Sequence, residues 1–188
     1  MLIEDQRNED ELLAVRCQLG EAAAFDALIA RWHQPLWTYL RRLTGDDDAA
    51  AESVQDVWLR VLRGIARLRD GSRLRAWIFG IARRVVMDRL RDKYAKPTLV
   101  SVDELELEGL ELGADESQRL EEELELMQDE LARLPVTERE ALALFYLKEL
   151  SLIEMSEVLG IPMGTVKSRL FRARKTLRNQ LVMKGMNP

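Results

Sequence analysis

The chain has 188 residues, of which 47% are apolar and 32% are charged, with only ten glycines and five prolines. This length suits one compact domain or two small ones, and the composition excludes a fully disordered or collagen-like chain. One cysteine and one histidine exclude an internal disulfide and leave no His/Cys set for zinc or iron, so no metal or other cofactor is predicted. The start of the chain is acidic and polar, and no apolar run approaches about 18 residues, which predicts no signal peptide, no membrane span and a cytoplasmic location.

Charge is segregated along the chain, although the net charge is only −5. Residues 60–96 hold twelve basic and three acidic side chains, and seven basic but no acidic residues follow Met163. Between these stretches, residues 97–131 hold thirteen acidic side chains and one basic. Scattered surface charge is common, but two separate basic stretches are typical of elements that face nucleic-acid phosphates. The pattern favours two such elements joined by an acidic connector.

The first strong periodic segment runs from Phe25 to Leu43. Its apolar residues recur every three or four positions, which predicts an amphipathic helix that stops at Gly45. Pro35 lies inside this segment and predicts a kink, because proline lacks the N–H that a helix interior uses. His33 lies on the same helix, where we expect a partly buried structural histidine rather than a catalytic base.

A second helix is predicted to begin at the acidic run 46–48, whose carboxylates suit a helix start. Apolar residues from Val54 to Ile65, including Leu62, form its buried stripe. Beside this stripe, one exposed flank carries polar and acidic residues: Asp48, Glu52, Gln55 and Asp56. From spacing alone this flank is an ordinary solvated helix face, because charges four residues apart are common on helices.

The third predicted helix, about residues 74–94, has two unlike faces. Its packed arc contains Trp77, Ile78, Ile81, Ala82, Val85 and Val86. The opposite face carries Gly80, Arg84, Met87 and Arg91. Because helical spacing is typical of core aromatics, we expect Trp77 and Phe79 in the core rather than as platforms for stacked bases.

Residues 97–116 are predicted to be a flexible acidic linker. Their alternation of apolar and acidic residues would also suit a strand, but the charge is dense and the chain offers no partner strands. A helical stripe resumes from Leu120 to Leu134 and ends at Pro135. The sequence therefore predicts an all-α chain with two small helical domains, at residues 1–96 and 117–188.

Two reciprocal capping boxes are predicted in the second domain, Thr137 with Glu140 and Ser151 with Glu154. In such a box the hydroxyl and the carboxylate each accept one unpaired backbone N–H at a helix start. Two helices are therefore expected to begin close to Thr137 and Ser151.

A helix-turn-helix pattern follows the second box. Small Ser156 permits a close helix crossing, and Gly160 permits the positive-φ corner of a tight turn. Val166, ten residues after Ser156, then packs the second helix onto the first, and the packed face continues to Leu181.

The outward face of this second helix and its flanks are polar and basic: Gly164, Thr165, Lys167, Ser168, Arg169, Phe171, Arg172, Arg174 and Lys175. Such a face suits the DNA major groove, where side chains reach base edges and basic residues contact phosphate. An ordinary surface hairpin with a solvated basic side is the alternative. The combination of turn, caps and charge favours DNA binding.

Three segments resemble the extracytoplasmic-function (ECF) group of bacterial sigma factors, transcription-initiation subunits with helical domains called region 2 and region 4. DDDAAAESVQDVWLRVLR resembles the helix that binds core RNA polymerase, and RLRAWIFGIARRVVMDRLR resembles the segment that reads and melts promoters. GTVKSRLFRAR is the most specific part of the likeness to region 4. The resemblance implies that the first domain binds core RNA polymerase and the minus-10 element of promoter DNA, while the second reads the minus-35 element.

The resemblance also implies roles for individual residues. The polymerase-binding set is Asp48, Glu52, Gln55, Asp56 and Trp58. The minus-10 set is Arg83, Arg84 and Arg91, with Lys93 and Lys96 extending the track. The minus-35 set is Thr165, Lys167, Ser168, Arg169, Phe171, Arg172 and Lys175. Arg84 stands where the family frequently has Asn. A guanidinium has no hydrogen-bond acceptor, so we expect Arg84 to contact phosphate or a guanine edge. The base sequence that the chain reads at the minus-10 element is therefore not predicted.

Two further expectations follow from the resemblance. An anti-sigma factor that covers both the polymerase-binding and the DNA-binding faces is a common partner in the group. The acidic linker either threads the polymerase channels, where its charge imitates nucleic acid, or is a solubilising tether that keeps two basic domains apart.

Two other classes of function remain open. An autonomous helix-turn-helix regulator explains the C-terminal motif but not the basic stretch 60–96, and it would bind duplex DNA alone as a symmetric dimer. A helical enzyme is not favoured, because the chain has no glycine-rich loop for phosphate. Cys17 lies near an acidic N-terminal helix, so a redox switch is not favoured either.

Overall fold

The structure is a computed structural model that describes residues 2–95, 114–147 and 150–185, which form helices and turns without a strand. The first half of the chain contains α1 (Leu2–Gln18), α2 (Ala22–Thr44), α3 (Asp47–Gly64) and α4 (Leu74–Ala95). The second half contains α5 (Ala114–Arg133), α6 (Val136–Leu142), α7 (Leu152–Leu159) and α8 (Met163–Met183). The predicted all-α fold is confirmed. Over the described ranges, no helix has the length and apolar character needed to cross a bilayer.

Helices α2, α3 and α4 pack on one another, and α1 packs against α2, α4 and the two short turns that join α3 to α4. Phe79 of α4 is fully buried, with its ring edge-on to Trp32 and Tyr39 at centroid distances of 6.0 and 5.4 Å. Trp77 is partly buried against the same core. The prediction that Phe79 belongs to the core is confirmed, whereas Trp77 packs only at the edge of the core.

Local signals set the helix ends in this half. Gly45 adopts φ 71° and donates its N–H to the carbonyl of Arg41, which ends α2 at the predicted stop. The Asp46 carboxylate accepts the N–H of Ala49 at 2.7 Å and so caps α3. Pro35 lies inside α2, which continues through it to Thr44.

The burial predicted for His33 and for Leu62 is wrong. His33 is exposed, because its neighbour Trp32 takes the inward position and the next helical residue points about 100° away from it. Leu62 is 57% exposed rather than part of the packed stripe of α3. The buried stripe runs through Val57 and Val61, so Leu62 lies one step outside it.

The second half contains the predicted helix-turn-helix, formed by α7 and α8. Gly160 has φ 65° at the corner, where a residue with a Cβ would be strained. The Ser156 hydroxyl donates to the carbonyl of Ile161 at 2.6 Å, which fixes the turn. Val166 is completely buried at the start of α8. The predicted roles of Gly160 and Val166 are confirmed.

Of the two predicted capping boxes, the structure confirms one and contradicts the other. At α7 the Ser151 hydroxyl accepts the N–H of Glu154, and the Glu154 carboxylate accepts the N–H of Ser151. At α6 the N-cap is Pro135 and no side chain caps the helix, so the predicted box of Thr137 with Glu140 is wrong. The physical reason is tertiary, because the Glu140 carboxylate is drawn into the interior by groups from the first half.

The two halves pack against each other. Helix α4 contacts α7, and α2 contacts α6 and the turn that follows it. Buried side chains from both halves form one continuous hydrophobic cluster, which includes Leu36 and Phe79 from the first half and Leu144 and Met155 from the second. Most of the predicted acidic linker, residues 97–113, lies outside the described residues, and α5 already begins at Ala114. The domain boundaries stay predictions.

Candidate nucleic-acid interface

The outer face of α8 carries most of the side chains predicted to read DNA. Five of them are exposed: Lys167, Ser168, Phe171, Arg172 and Lys175. Phe171 leaves 68% of its surface to solvent, which is unusual for so large an apolar residue. Thr165 is half-buried and its carbonyl accepts the Ser168 hydroxyl at 3.0 Å. Because the opposite side of α8 is anchored by buried Val166 and Leu170, this polar face is held outward.

The start of α8 also favours an anionic partner. Its N-cap is Pro162, which offers no side-chain acceptor to the first N–H groups of the helix. Gly164 has open space where a Cβ would stand, so a ligand can approach the backbone closely. Unpaired N–H groups and the positive end of the helix dipole attract phosphate.

Two arginines of α8 point away from this face. Arg169 is half-buried, and its buried Nη1 has no hydrogen-bond partner among the described residues. Burial raises the pKa of the Glu140 carboxyl, and the positive charge of Arg169 offsets part of that rise. Arg174 lies over the rings of Phe145 and Tyr146, 5.1 and 5.3 Å from their centroids. The minus-35 role of Arg169 stays a prediction, but in this arrangement the side chain faces the interior.

A basic cleft of about 340 Å³ lies beside the N-terminal part of α4. Its walls include four arginines and a tryptophan: Arg67, Arg69, Arg73, Arg84 and Trp77. The Trp77 ring passes so close to Gly64 that a Cβ there would lie 3.0 Å from it, so the absence of a side chain at Gly64 leaves room for the indole. Sequence reasoning singled out Arg84 but missed the three arginines of the preceding turns. The excess of basic residues after Arg60 was the signal that pointed to them.

The three predicted minus-10 arginines do not lie together. Arg84 is exposed in the cleft, and Arg91 is 76% exposed beside Asp88 at 3.3 Å. Arg83 points elsewhere: its Nε lies 2.9 Å from Oε1 of Glu140, which is completely buried. Lys96 lies outside the described residues. Of the three predicted arginines, Arg84 and Arg91 therefore face solvent in this arrangement.

The predicted polymerase-binding flank lies on α3. Asp48 and Gln55 are exposed, while Glu52 and Asp56 both accept hydrogen bonds from Arg89 of α4, at 2.7 and 2.8 Å. These bonds raise the pKa of the Arg89 guanidinium, so Arg89 stays charged. The pairing holds the two carboxylates in a fixed position along the flank.

Apolar side chains lie next to these carboxylates. Trp58 is half-buried, and its indole N–H has no partner among the described residues. Leu59 and Leu62 are 50% and 57% exposed. An exposed apolar strip with an acidic rim is typical of a protein-binding surface. Sequence reasoning missed Leu59 and assigned Leu62 to the core.

The remaining candidate for special chemistry is Cys17, which is buried. Burial raises the pKa of its thiol, so the reactive thiolate is disfavoured at neutral pH. Within the described residues, no group of three or more His, Cys, Asp or Glu side chains is placed to hold a metal ion.

Two protein-family models match the chain: Sigma-70 region 2 matches residues 28–95, and Sigma-70, region 4 matches residues 124–177. The ECF RNA polymerase sigma factor SigM of Mycobacterium tuberculosis is 32% identical over 176 residues, which cover 94% of this chain and 86% of SigM. The chain belongs to the ECF sigma factors. The ECF RNA polymerase sigma-E factor of Escherichia coli K12 is 29% identical over 92% of this sigma factor and 94% of that protein.

Solved structures agree with this fold. The structure of CnrH in complex with the cytosolic domain of CnrY matches with a TM-score of 0.68 and 25% identity, over 93% of this sigma factor and 97% of the matched chain. The sigma factor RpoE in its complex with the anti-sigma factor NepR, from Bartonella quintana, matches with a TM-score of 0.69 and 24% identity, over 84% and 96%. The predicted family and its two-part helical layout are confirmed.

The family matches assign the helices of this ECF sigma factor. Residues 28–95, called region 2 below, comprise most of α2 and all of α3 and α4. Residues 124–177, called region 4 below, comprise the end of α5 and continue into α8. An autonomous regulator is not favoured, because region 2 occupies the part of the chain in which such a regulator would carry its sensing domain.

Proposed function

We propose that this ECF sigma factor binds core RNA polymerase and directs promoter-specific initiation, with region 2 at the minus-10 element and region 4 at the minus-35 element. The observation that carries the proposal is the ordered pair of family regions, each with an exposed basic surface on one helix. Synthesis belongs to the polymerase, and the sigma factor contributes binding and positioning rather than catalysis. A cytoplasmic location follows from these partners.

Region 4 has the geometry of a duplex reader. A basic helix with an open N-terminus enters the major groove, and side chains in its first turns meet base edges. Arg172 and Lys175 are placed for phosphate or guanine, and exposed Phe171 offers an apolar contact of the kind that thymine methyl groups accept. The N–H groups after Pro162 supply a further phosphate contact.

Region 2 has the geometry of a single-strand binder. Melting a promoter without ATP requires tighter binding to the opened strand than to the duplex. The cleft beside α4 supplies several guanidiniums for backbone phosphates, and it is large enough for a nucleobase against Trp77. Arg84 at its wall gives this cleft a donor-only side chain, which suits phosphate or a guanine edge.

The α3 flank is the surface proposed for core polymerase. Exposed Leu59 and Leu62 supply apolar contact area, and the carboxylates of Glu52 and Asp56 supply a negative rim. This combination fits a helical partner with a basic exposed face. Asp48 and Gln55 extend the polar rim along the same helix.

An anti-sigma partner also fits this chain. CnrH, a structural neighbour at 25% identity, was solved with the cytosolic domain of CnrY bound. Region 4 here has an apolar groove of about 490 Å³ between α5, α6 and α8, lined by residues that include Leu131, Leu142 and Leu177. Arg174 and Arg178 lie at the same groove. Apolar walls with basic residues suit an amphipathic helix that carries acidic side chains.

Run-off transcription tests the proposed function. Purified chain is added to core RNA polymerase with a library of genomic promoter fragments, and transcripts are compared with those from core polymerase alone. We expect new transcripts with defined start sites and a one-to-one complex with core polymerase. Transcription that stays at the core-only level across the library would overturn the proposal, and symmetric dimers on duplex DNA without polymerase would favour the autonomous regulator.

A further inference from the structure

The apolar groove between α5, α6 and α8 is also basic. Its volume is about 490 Å³, and leucines of all three helices form its apolar walls: Leu131, Leu142, Leu177 and Leu181. Four arginines reach it: Arg42, Arg139, Arg174 and Arg178. None of the described residues that line the groove is an aspartate or a glutamate. The lining therefore combines apolar walls with positive charge and carries no negative charge of its own.

Arg42 comes from α2, so region 2 completes a groove whose apolar walls belong to the second half of the chain. This arginine is half-buried. Among the described residues, no carboxylate forms an ion pair with Arg42, whereas Arg41 beside it is paired with Asp47. Burial and the positive charge of Arg41 lower the pKa of the Arg42 guanidinium, and an anion beside it would offset both effects. Such a guanidinium is suited to the anionic group of a ligand.

A second pocket, of about 240 Å³, adjoins the groove on the side of α2. It shares Arg42, Leu131 and Arg139 with the groove, and partly buried Trp37 also lines it. Arg42 belongs to region 2 and Arg139 belongs to region 4, so the two arginines line the same pockets only while the regions pack against each other. We call this packing the closed arrangement.

The size of the groove separates a small ligand from a helix. Pockets for small ligands have volumes of about 300–1,000 Å³ and are mostly apolar, with a few well-placed polar groups. A helix of about twelve residues is about 18 Å long and 10 Å wide, so it occupies roughly 1,400 Å³. A helix can therefore lay only side chains into this groove of about 490 Å³, whereas a molecule with one apolar chain fits inside it. The two occupants would compete for the same walls.

We propose that this groove binds an organic anion with one apolar chain, of the class represented by medium-chain fatty acids. The carboxylate lies at Arg42 and Arg139, and the chain lies along Leu131, Leu142 and Leu177. A carboxylate matches the paired N–H donors of a guanidinium, and the leucines remove the chain from water. Because the site includes residues of both regions, a bound ligand stabilises the closed arrangement by mass action. The site does not rest on the proposed function, since the lining of the groove alone defines it.

Isothermal titration calorimetry with the full chain tests the site, at ligand concentrations below those at which micelles form. The probes are decanoate, its shorter relatives octanoate and hexanoate, and the neutral alcohol decanol. We expect one decanoate per chain, and an affinity that falls about fourfold for each methylene group removed, because less of the chain is then buried. Decanol has the same number of carbons but no charge, so it should bind at least about tenfold more weakly than decanoate.

Two variants separate the contact with the carboxylate from the contact with the chain. Arg42→Gln removes the positive charge of region 2 and should weaken decanoate binding about tenfold, while decanol binding stays unchanged. Leu131→Trp places a larger apolar side chain in the groove and should weaken the binding of both ligands. The matched control is Arg60→Gln, which changes the net charge equally at an exposed position of α3 outside the groove. Circular dichroism checks the fold of each variant, and Arg42→Gln with its control decides the result if Leu131→Trp does not fold.

Three results would overturn the inference. Equal affinity for decanol and decanoate would show an apolar patch that holds no anion. An equal loss of decanoate affinity in Arg42→Gln and Arg60→Gln would show that overall charge, rather than this groove, attracts the ligand. Binding of an acidic amphipathic peptide, or dimerisation of the chain through the groove, without saturable binding of decanoate would assign the groove to a protein partner. Because these measurements use neither polymerase nor DNA, their failure leaves the proposed function standing.

Discussion

Helix α8 presents its basic residues to solvent, whereas α4 pairs three of its arginines with carboxylates elsewhere in the chain. Lys167 and Arg172 of α8 are exposed. Arg75 and Arg83 of α4 contact glutamates of region 4, and Arg89 holds two carboxylates of α3. Similar basicity in the sequence therefore hides two arrangements of arginine, one in which the side chain faces solvent and one in which it pairs with a carboxylate of the same chain. The predictions below test this contrast.

The largest expected effect compares one aromatic residue on each helix. Phe79→Ala removes a fully buried ring from the centre of region 2 and should lower the free energy of unfolding by about 3–5 kcal/mol. Phe171→Ala, the same change on the exposed face of α8, should alter it by no more than about 0.5 kcal/mol. Urea denaturation followed by circular dichroism measures both. A similar loss in the two variants would show that Phe171 is packed rather than available to DNA.

A smaller effect is expected from removing charged groups on the two proposed surfaces. Arg172→Ala should weaken binding to a minus-35 duplex about tenfold and leave binding to core polymerase unchanged. Asp56→Ala should weaken polymerase binding and leave the minus-35 affinity unchanged, because this carboxylate lies on α3. Fluorescence anisotropy with labelled duplex and with labelled sigma factor measures the two affinities. Loss of both activities in either variant would indicate unfolding rather than a local effect on one surface.

The smallest effect concerns pH and the contact between the regions. Burial raises the pKa of the Glu140 carboxyl, against the opposing effects of Arg83, the Tyr39 hydrogen bond and Arg169. The closed arrangement therefore binds a proton more tightly than an open one in which Glu140 meets water, and acidification favours closure. This stabilisation is lost as the pH rises through the raised pKa. Tyr39 stays neutral throughout, because burial and Glu140 raise the pKa of its hydroxyl well above the usual value.

Small-angle X-ray scattering between pH 8 and pH 5 tests whether acidification favours the closed arrangement. We expect the radius of gyration to fall slightly as the pH falls, and Glu140→Gln to abolish the dependence. The carboxyl of Glu154 does not interfere in this window: although burial opposes it, hydrogen bonds from Ser151 and the charge of Arg75 lower its pKa. Its contribution is therefore lost only at pH values below 4.5, its usual value. Expansion between pH 8 and pH 5 would contradict the account of Glu140.

Much of the candidate site was predictable because the signals are local. Gly160 and Val166 specify the turn and the packing of α8 within ten residues, and the exposed face of that helix follows from its period. In the same way, Asp46 and Gly45 mark helix ends through bonds to near neighbours. The Ser151 box succeeds for this reason as well, because both of its hydrogen bonds span three residues.

The predictions that were wrong concern residues whose surroundings are set by parts of the chain far away in sequence. Glu140 satisfies the spacing rule for a cap with Thr137, but its carboxylate is taken by Tyr39, which lies 101 residues away in the chain. Leu62 satisfies the helical period, yet α3 is covered on one side only and leaves it outside. Arg83 and Arg84 are neighbours in sequence, but one faces a buried carboxylate and the other an open cleft.

The amino-acid sequence alone determined the helices, their turns, the helix-turn-helix and the family, because each depends on spacing, caps and charge within a few turns. Only the tertiary structure decided which basic residues face solvent and which are paired with region 4. The physical reason is that a buried charge takes the partner that packing brings to it, and the contact between α4 and α7 joins segments about 80 residues apart in the chain, such as Arg75 and Glu154.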